Sequence, residues 1–98
     1  MTPYRIVLKP SAVDDLDRLR RYDAARIADA IQTHLSHEPT QQSKSRIKRL
    51  RGITNPDYRL RVGDYRVFYT VDTTNRCLEI LRVLHKDETV EYYEELSQ

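Results

Sequence analysis

The sequence predicts an α+β fold: a mostly antiparallel four-stranded sheet with an N-terminal helix hairpin on one face and a short C-terminal helix. Three observations support this prediction. A strand-like run opens the chain, two stretches with helical spacing of apolar residues follow, and three further strand-like runs precede a final helical stretch. Two amphipathic helices joined by a short loop must bury their apolar sides, and one face of a sheet is the economical partner. The 98 residues are predicted to form one domain, residues 1–98, with a modest core.

The first strand and the first helix occupy the beginning of the chain. Tyr4 to Leu8 combines β-branched and apolar residues, which is typical of a strand. Ser11 is the predicted N-cap of the helix that follows, with Asp14 three residues later in the manner of a capping box. The apolar side of this helix is predicted to consist of Val13, Leu16 and Leu19.

The second helix is predicted to follow after a short break at Asp23, which can cap it. Pro39 would end it near His37, because the residue before a proline disfavours the helical conformation. Its apolar positions recur every four residues, at Ile27, Ile31 and Leu35. His34, His37 and Glu38 are close in sequence, but three ligands near one helix end are a weak metal signal. No metal site and no cofactor are predicted.

Residues 57–69, DYRLRVGDYRVFY, are the stretch around which the rest of the chain is organised. Apolar and polar residues alternate on either side of Gly63-Asp64, as in two half-buried strands joined by a tight turn that glycine enters at positive φ. The predicted hairpin pairs Val62 with Tyr65, Arg61 with Arg66, Leu60 with Val67 and Arg59 with Phe68. Because side chains alternate across a sheet, the three arginines and Phe68 share one face. The other face is formed by Tyr58, Leu60, Val62, Tyr65, Val67 and Tyr69.

Arg61 and Arg66 form the most informative of these pairs. Like charges directly opposite each other destabilise a sheet, so an anionic partner is expected between them. A neighbouring acidic residue is one candidate partner. A bound phosphate is the other, and the planar fork of an arginine suits it well.

A turn, a strand and a helix complete the chain. Asp72 to Asn75 predicts the turn, and the apolar run from Cys77 to Leu84 predicts the strand, in which the single cysteine is a small filler. A terminal helix is predicted from Glu88 onwards. It is predicted to carry Val90, Tyr93 and Leu96 on one, core-facing side and Tyr92 on another.

Charge is distributed unevenly, although the net charge is only +2. Between Lys44 and Tyr69 there are eight basic residues and two acidic ones, whereas the segment from Asp87 to the end has five acidic residues and no basic one. Such a basic block indicates a footprint for nucleic acid, although basic runs also occur as solvated surface. No apolar run approaches the length of a membrane span and no signal-peptide pattern opens the chain, so a cytoplasmic location without a membrane partner is expected.

Three segments together resemble the RelE/ParE superfamily of toxins from bacterial toxin–antitoxin pairs: RLRG at 49–52, YRLRVGDYRVFY at 58–69 and VLHKDETVEY at 83–92. The resemblance covers nearly the whole chain. Within the superfamily, the sequence is more similar to the RelE branch, whose members cleave messenger RNA on the ribosome, than to the ParE branch. It implies a metal-independent endoribonuclease that acts on messenger RNA in the ribosomal A site, in contact with ribosomal RNA, and a cognate antitoxin as partner. The alternatives are a ParE-like toxin that inhibits DNA gyrase and a catalytically degenerate member.

The resemblance also implies roles for individual residues. Arg59 and Arg61 stand where RelE toxins often have two lysines, one that orients phosphate and one proposed as the base. Arg66 matches the strand arginine that stabilises the phosphate in the transition state. Lys86 stands where many members have an arginine proposed as the general acid, and Tyr92 matches the terminal tyrosine that stacks on the substrate nucleotide. Contacts to RNA are assigned to Lys48, Arg49, Arg51 and His85.

Two departures from the family pattern bear on proton transfer. Arg61 replaces a lysine, and a guanidinium with a pKa above about 12 is a poor base. Lys86 replaces an arginine, and a lysine titrates more readily. The proton-transfer roles are therefore expected to be redistributed, with Lys86, His85 and Tyr92 as candidates. The acidic segment after Asp87 is expected to fold back near the basic strands and present Tyr92 to the site.

Overall fold

A computed structural model describes residues 2–97 of the chain. The elements in chain order are β1 (Arg5–Leu8), α1 (Pro10–Asp17), α2 (Arg21–Leu35), β2 (Ile47–Arg49), β3 (Tyr58–Val62), β4 (Tyr65–Asp72), β5 (Cys77–His85), a 3-10 turn (Lys86–Glu88) and α3 (Thr89–Leu96). Within these residues the five strands form one mixed sheet in the order β1-β5-β4-β3-β2. Strand β1 runs parallel to β5, and the other neighbours are antiparallel.

The predicted α+β class is confirmed, but the predicted four-stranded sheet is wrong in its strand count. The additional strand, β2, is a three-residue edge strand in which Ile47 pairs with Leu60 and Lys48 pairs with Arg59. Three residues are too short to show the alternation by which strands are recognised in sequence. The parallel pairing of β1 with β5 joins segments far apart in the chain, so no local pattern indicates it.

The helix boundaries differ from the predicted ones. Helix α1 begins at Pro10 with Lys9 as its N-cap and without a side-chain capping bond, so Ser11 is inside the first turn. Proline suits this position because its missing N–H would have no helical partner there. Arg20, rather than Asp23, is the N-cap of α2, which ends at Leu35.

The main core lies between the two N-terminal helices and one face of the sheet. The predicted apolar residues of α2, Ile27, Ile31 and Leu35, are all buried there. In α1, by contrast, Val13 is 40% exposed and Ala12 is buried. Leu16 in this helix and Leu19, which lies beyond its end at Asp17, pack at the margin of the core. The predicted sheet side chains on this face, Tyr58, Leu60, Val62, Val67 and Tyr69, are buried, and Tyr65 packs against them.

The hairpin between β3 and β4 has the predicted register in every pair from Val62–Tyr65 to Arg59–Phe68. Gly63 adopts a φ of 57°, as the tight turn requires. The predicted turn at residues 72–75 is also present, since β4 ends at Asp72 and β5 begins at Cys77. The alternation of side chains in these strands therefore follows directly from the sequence.

Helix α3 covers part of the opposite face of the sheet. Phe68, Leu84 and Tyr92 form a second, smaller buried cluster there, with Leu50, Tyr93 and Leu96 at its margin. The predicted orientation of α3 is thus wrong at two positions: Val90 is 66% exposed, and Tyr92 is buried. The open part of this face, beside α3, carries the arginines.

Asp15 joins α1 to β5 beyond the end of β1. Its carboxylate accepts hydrogen bonds from the Arg82 side chain at 2.8 and 3.1 Å, from the Val83 backbone N–H at 2.9 Å and from Arg18 at 2.7 Å. Burial alone would raise the pKa of Asp15, but the bonds from Arg82 and Val83 and the positive charge of Arg82 outweigh it, so the pKa is lowered. Asp15 thereby accepts the backbone N–H of Val83, in the part of β5 that lies beyond its pairing with β1.

No helix among residues 2–97 has both the length and the apolar character needed to cross a membrane.

Candidate active site on the arginine face

The arginine face is the sheet surface that carries Arg59 and Arg61 from β3 and Arg66 from β4. Arg61 lies directly opposite Arg66, and Arg59 lies opposite Phe68. The pKa of Arg66 is lowered, first by partial burial and then by the positive charges of Arg59 and Arg61, against a smaller opposing effect of Asp64. Three guanidinium groups therefore share a small, partly desolvated area.

No carboxylate of residues 2–97 neutralises this cluster by direct contact. None of the ion pairs formed within residues 2–97 involves Arg59, Arg61 or Arg66. Arg66 Nη1 instead donates to the backbone oxygens of Gly63 and Tyr65, both at 2.9 Å. The Arg59 Nε is buried and has no acceptor in the described part of the chain. The acidic partner considered from the sequence is thus not realised as an ion pair, and the donors remain available to an anion.

Lys86 lies at the end of β5 next to the hairpin turn. Its backbone N–H donates to the backbone carbonyl oxygen of Asp64 at 2.7 Å, and its Nζ is 3.5 Å from Asp64 Oδ1. Both side chains are largely exposed. Asp64 therefore fixes the backbone of Lys86 firmly and its ammonium only loosely.

His85 points away from the arginine face. It pairs with Tyr65, and the two rings meet edge to face with centroids 5.5 Å apart. The Nδ1 atom of His85 accepts a hydrogen bond from the backbone N–H of Asp87 at 3.2 Å, and the backbone N–H of His85 donates to Glu88 Oε1 at 2.9 Å. These contacts make His85 the N-cap of the 3-10 turn. Its ring lies on the side of Tyr65, away from the arginines.

The two consecutive tyrosines of α3 have different surroundings. The ring of Tyr92 packs on Phe68 with centroids 4.9 Å apart and lies 5.7 Å from the Arg82 guanidinium, which leaves the residue 8% exposed. The half-buried Tyr93 meets Phe68 edge to face at 5.7 Å. Burial raises the pKa of Tyr93, while the nearby positive charges of Arg59 and Arg66 oppose that rise. Tyr93, and not Tyr92, is thus the tyrosine beside the arginines.

The outlying basic residues divide between the two faces of the sheet. Lys48 pairs with Arg59 and extends the arginine face toward the β2 edge. Arg49 pairs with Tyr58, donates to its hydroxyl at 3.3 Å and lies over its ring, so it belongs to the opposite side. Arg51 follows β2 and lines an open depression of about 400 Å³ together with Arg49 and Leu50.

The histidines near the end of α2 form no metal cluster in the described residues. His34 Nε2 lies 3.1 Å from Arg46 Nη1. Burial, and then the positive charge of Arg46, lower the pKa of His34. A neutral ring that accepts from Arg46 accounts for this contact.

A family model described as the ParE toxin of type II toxin–antitoxin system, parDE, matches residues 6–90. No curated protein matches the chain significantly. Among solved structures, a chain of the RelBE2 toxin–antitoxin complex from Mycobacterium tuberculosis is 30% identical, with 85% of this chain and 98% of that chain covered and a TM-score of 0.70. A chain of the archaeal RelE–RelB complex from Pyrococcus horikoshii is 31% identical, with 88% and 97% covered and a TM-score of 0.70. A mutant of the E. coli toxin RelE in the free state shares the fold, at 21% identity, 99% and 96% coverage and a TM-score of 0.68.

Proposed function

The chain belongs to the ParE toxin family of type II toxin–antitoxin systems, within the RelE/ParE superfamily, and from this premise we propose that it is a metal-independent endoribonuclease that cleaves messenger RNA on the ribosome. The two structural relatives at 30% and 31% identity come from RelE-type complexes, which favours the RelE branch. The proposal also requires a site suited to phosphate chemistry.

The observation that carries the proposal is the uncompensated arginine cluster. Arg61 and Arg66 face each other, and the buried Arg59 Nε has no acceptor within residues 2–97. A buried donor without a partner costs about 1–3 kcal/mol, and paired like charges add to that cost. A phosphate group would offset both, because its oxygens accept from several guanidinium forks at once.

RNA cleavage without a metal needs charge stabilisation more than any other contribution. The 2′-oxygen attacks the adjacent phosphorus, the bond from phosphorus to the 5′-oxygen breaks, and negative charge grows on the non-bridging oxygens. Preorganised donors aimed at that charge lower the barrier by several kcal/mol. Arg59, Arg61 and Arg66 serve this purpose, and partial burial and the positive charges of the other two lower the pKa of Arg66.

Two protons must also move, one from the 2′-hydroxyl and one to the departing 5′-oxygen. Lys86 is the candidate donor to the 5′-oxygen, since its loosely held ammonium lies at the margin of the cluster beside Asp64. Arg61 is a poor base because its guanidinium stays protonated. We propose that a group of the ribosome or of the RNA accepts the proton of the 2′-hydroxyl.

The proposed partners follow from charge and from the relatives. Messenger RNA in the ribosomal A site and the surrounding ribosomal RNA would meet the basic surface formed by the arginine face and Lys48, with Arg51 near its edge. The relatives from M. tuberculosis and P. horikoshii were solved as complexes with antitoxins, and we propose a cognate antitoxin for this chain as well. An extended partner that wraps the basic strands would neutralise them. With these partners, the proposed site of action is the cytoplasm.

A second candidate function is inhibition of DNA gyrase without RNA cleavage, because the matching family model describes a ParE toxin. Two assays on the purified chain separate the candidates: mapping of RNA 5′ ends on programmed ribosomes and supercoiling by gyrase. Cut messages with unaffected supercoiling support the ribonuclease. Intact messages with inhibited supercoiling support the ParE-type function, and intact messages with unaffected supercoiling indicate a degenerate member.

A further inference from the structure

One side of α3 forms an open depression that none of the roles above uses. Its walls are Val90, Tyr93, Glu94 and Ser97, which follow one another on a single side of the helix. The depression is wide open to solvent, with a volume of about 410 Å³. Val90 is 66% exposed although it is apolar. The depression therefore offers an unfilled apolar surface to a ligand.

Tyr93 connects this depression to the arginine face. Its ring meets Phe68, which lies opposite Arg59, and Arg59 and Arg66 are close enough to act on it electrostatically. A nucleotide whose phosphate is held by the arginines therefore has an aromatic ring within reach of its base. Single-stranded RNA is commonly recognised in this way, by splayed bases that stack on aromatic side chains.

Glu94 adds a polar group to the wall of the depression. It is exposed, and it takes part in none of the ion pairs of residues 2–97. An ionised carboxylate only accepts hydrogen bonds, so it recognises base edges that donate. Guanine presents two adjacent donors, its ring N1–H and its exocyclic amino group, and matches the two carboxylate oxygens best.

We propose that Val90, Tyr93 and Glu94 form a nucleobase subsite, in which Tyr93 stacks on the base next to the scissile phosphate and Glu94 selects guanine. This inference rests on the proposed ribonuclease function and moves the substrate-stacking role from Tyr92 to Tyr93. Tyr92 is instead an anchor of α3 through its contact with Phe68. An apolar side chain of the antitoxin is the competing occupant of the depression.

The test is single-turnover cleavage of ribosomes programmed with messages that differ by one base at each A-site position. Wild-type toxin is expected to cut fastest with guanine at one of these positions. Tyr93→Leu keeps an apolar contact with Phe68 but cannot stack, and it is expected to raise the toxin concentration for half-maximal rate by about 10- to 100-fold. Tyr93→Trp is expected to restore cleavage to near the wild-type level.

Matched controls come from the neighbouring positions of α3. Glu94→Ala is expected to remove the preference for guanine, whereas Glu95→Ala, on the side near Arg82 and Tyr92, is expected to leave it unchanged. Tyr92→Phe is expected to cut like wild type. Wild-type cleavage together with unchanged rate and preference in Tyr93→Leu and Glu94→Ala overturns the subsite alone. Loss of antitoxin inhibition in those variants, with cleavage intact, overturns it in favour of protein docking, and absence of wild-type cleavage overturns the proposed function and the subsite together.

Discussion

Arg61 and Arg66 lie directly opposite each other across the β3–β4 hairpin, and neither forms an ion pair with a carboxylate of residues 2–97. A sheet gains nothing from such a pair, because like charges at opposed positions repel. The repulsion is moderated by solvent and by the bonds of Arg66 to two backbone oxygens of the turn. The phosphate ligand that we propose would offset this repulsion, because its oxygens accept hydrogen bonds from several guanidinium groups at once.

Asp15 is predicted to be the most sensitive polar position for stability. Its carboxylate, 2% exposed, receives bonds from Arg82, Arg18 and the Val83 N–H. Asp15→Asn removes the negative charge that pairs with Arg82 and Arg18 and one of the acceptor oxygens that they and the Val83 N–H share. We therefore expect a loss of about 3 kcal/mol in the free energy of unfolding. Asp17→Asn, at an exposed position of the same helix, is the control and is expected to change it by less than about 0.5 kcal/mol. Urea titrations of the three proteins check this.

The contribution of Asp15 to the free energy of unfolding should decrease on acidification. Its pKa is lowered in the folded state, so the stabilisation is fully present above the unfolded value of about 3.9 and is lost as pH falls through the folded pKa. The difference in unfolding free energy between wild type and Asp15→Asn should be constant from pH 7 to pH 5 and shrink below about pH 4. A difference that grows on acidification would contradict this account.

Gly63 offers a matched test of the hairpin turn. Gly63 and Gly52 both have positive φ, of 57° and 71°, so alanine at either position should cost about 1–2 kcal/mol of stability. A Cβ on Gly63 would also lie 2.6 Å from Nη2 of Arg26, whereas one on Gly52 would meet no atom within 4 Å. Arg26 is an exposed, flexible side chain, so the extra cost at Gly63 should be small and should vanish in Gly63→Ala/Arg26→Ala. Thermal melting of the variants measures it, and an undisturbed melt of Gly63→Ala would refute the need for positive φ.

Lys86 and His85 should differ in their effect on cleavage. Lys86→Met removes the candidate proton donor and is expected to slow single-turnover cleavage by about 100-fold or more and to change the pH–rate profile. His85→Gln keeps an acceptor for the Asp87 N–H, and the His85 ring points away from the arginines, so cleavage should stay within a few-fold of wild type. Equal rates and an unchanged profile for Lys86→Met would exclude Lys86 as a proton carrier.

The sequence predicts the hairpin well because its information is local. The alternation of apolar and polar residues, together with the glycine of the turn, is sufficient to place Arg59, Arg61 and Arg66 on one face. The same pattern assigns the four pairs from Val62–Tyr65 to Arg59–Phe68. The contact of Asp15 with Arg82 spans 67 residues and leaves no local signal. The choice between Tyr92 and Tyr93 likewise depends on how α3 is rotated on the sheet. Adjacent helical residues point about 100° apart, and the packing of Phe68 against Tyr92 fixes that rotation.

The central claim is that the arginine cluster is a phosphate clamp, and a paired measurement on Arg66→Ala tests it most directly. Thermal melting should stay within a few degrees of wild type, because relief of the repulsion from Arg61 offsets the two lost bonds to the backbone oxygens of Gly63 and Tyr65. Single-turnover cleavage of a programmed ribosome should fall by about 100-fold or more, and Arg66→Lys should restore it only in part, since an ammonium lacks the planar fork. A mutant that melts far below wild type would make Arg66 a structural residue, and one that melts normally and still cuts at the wild-type rate would contradict the clamp.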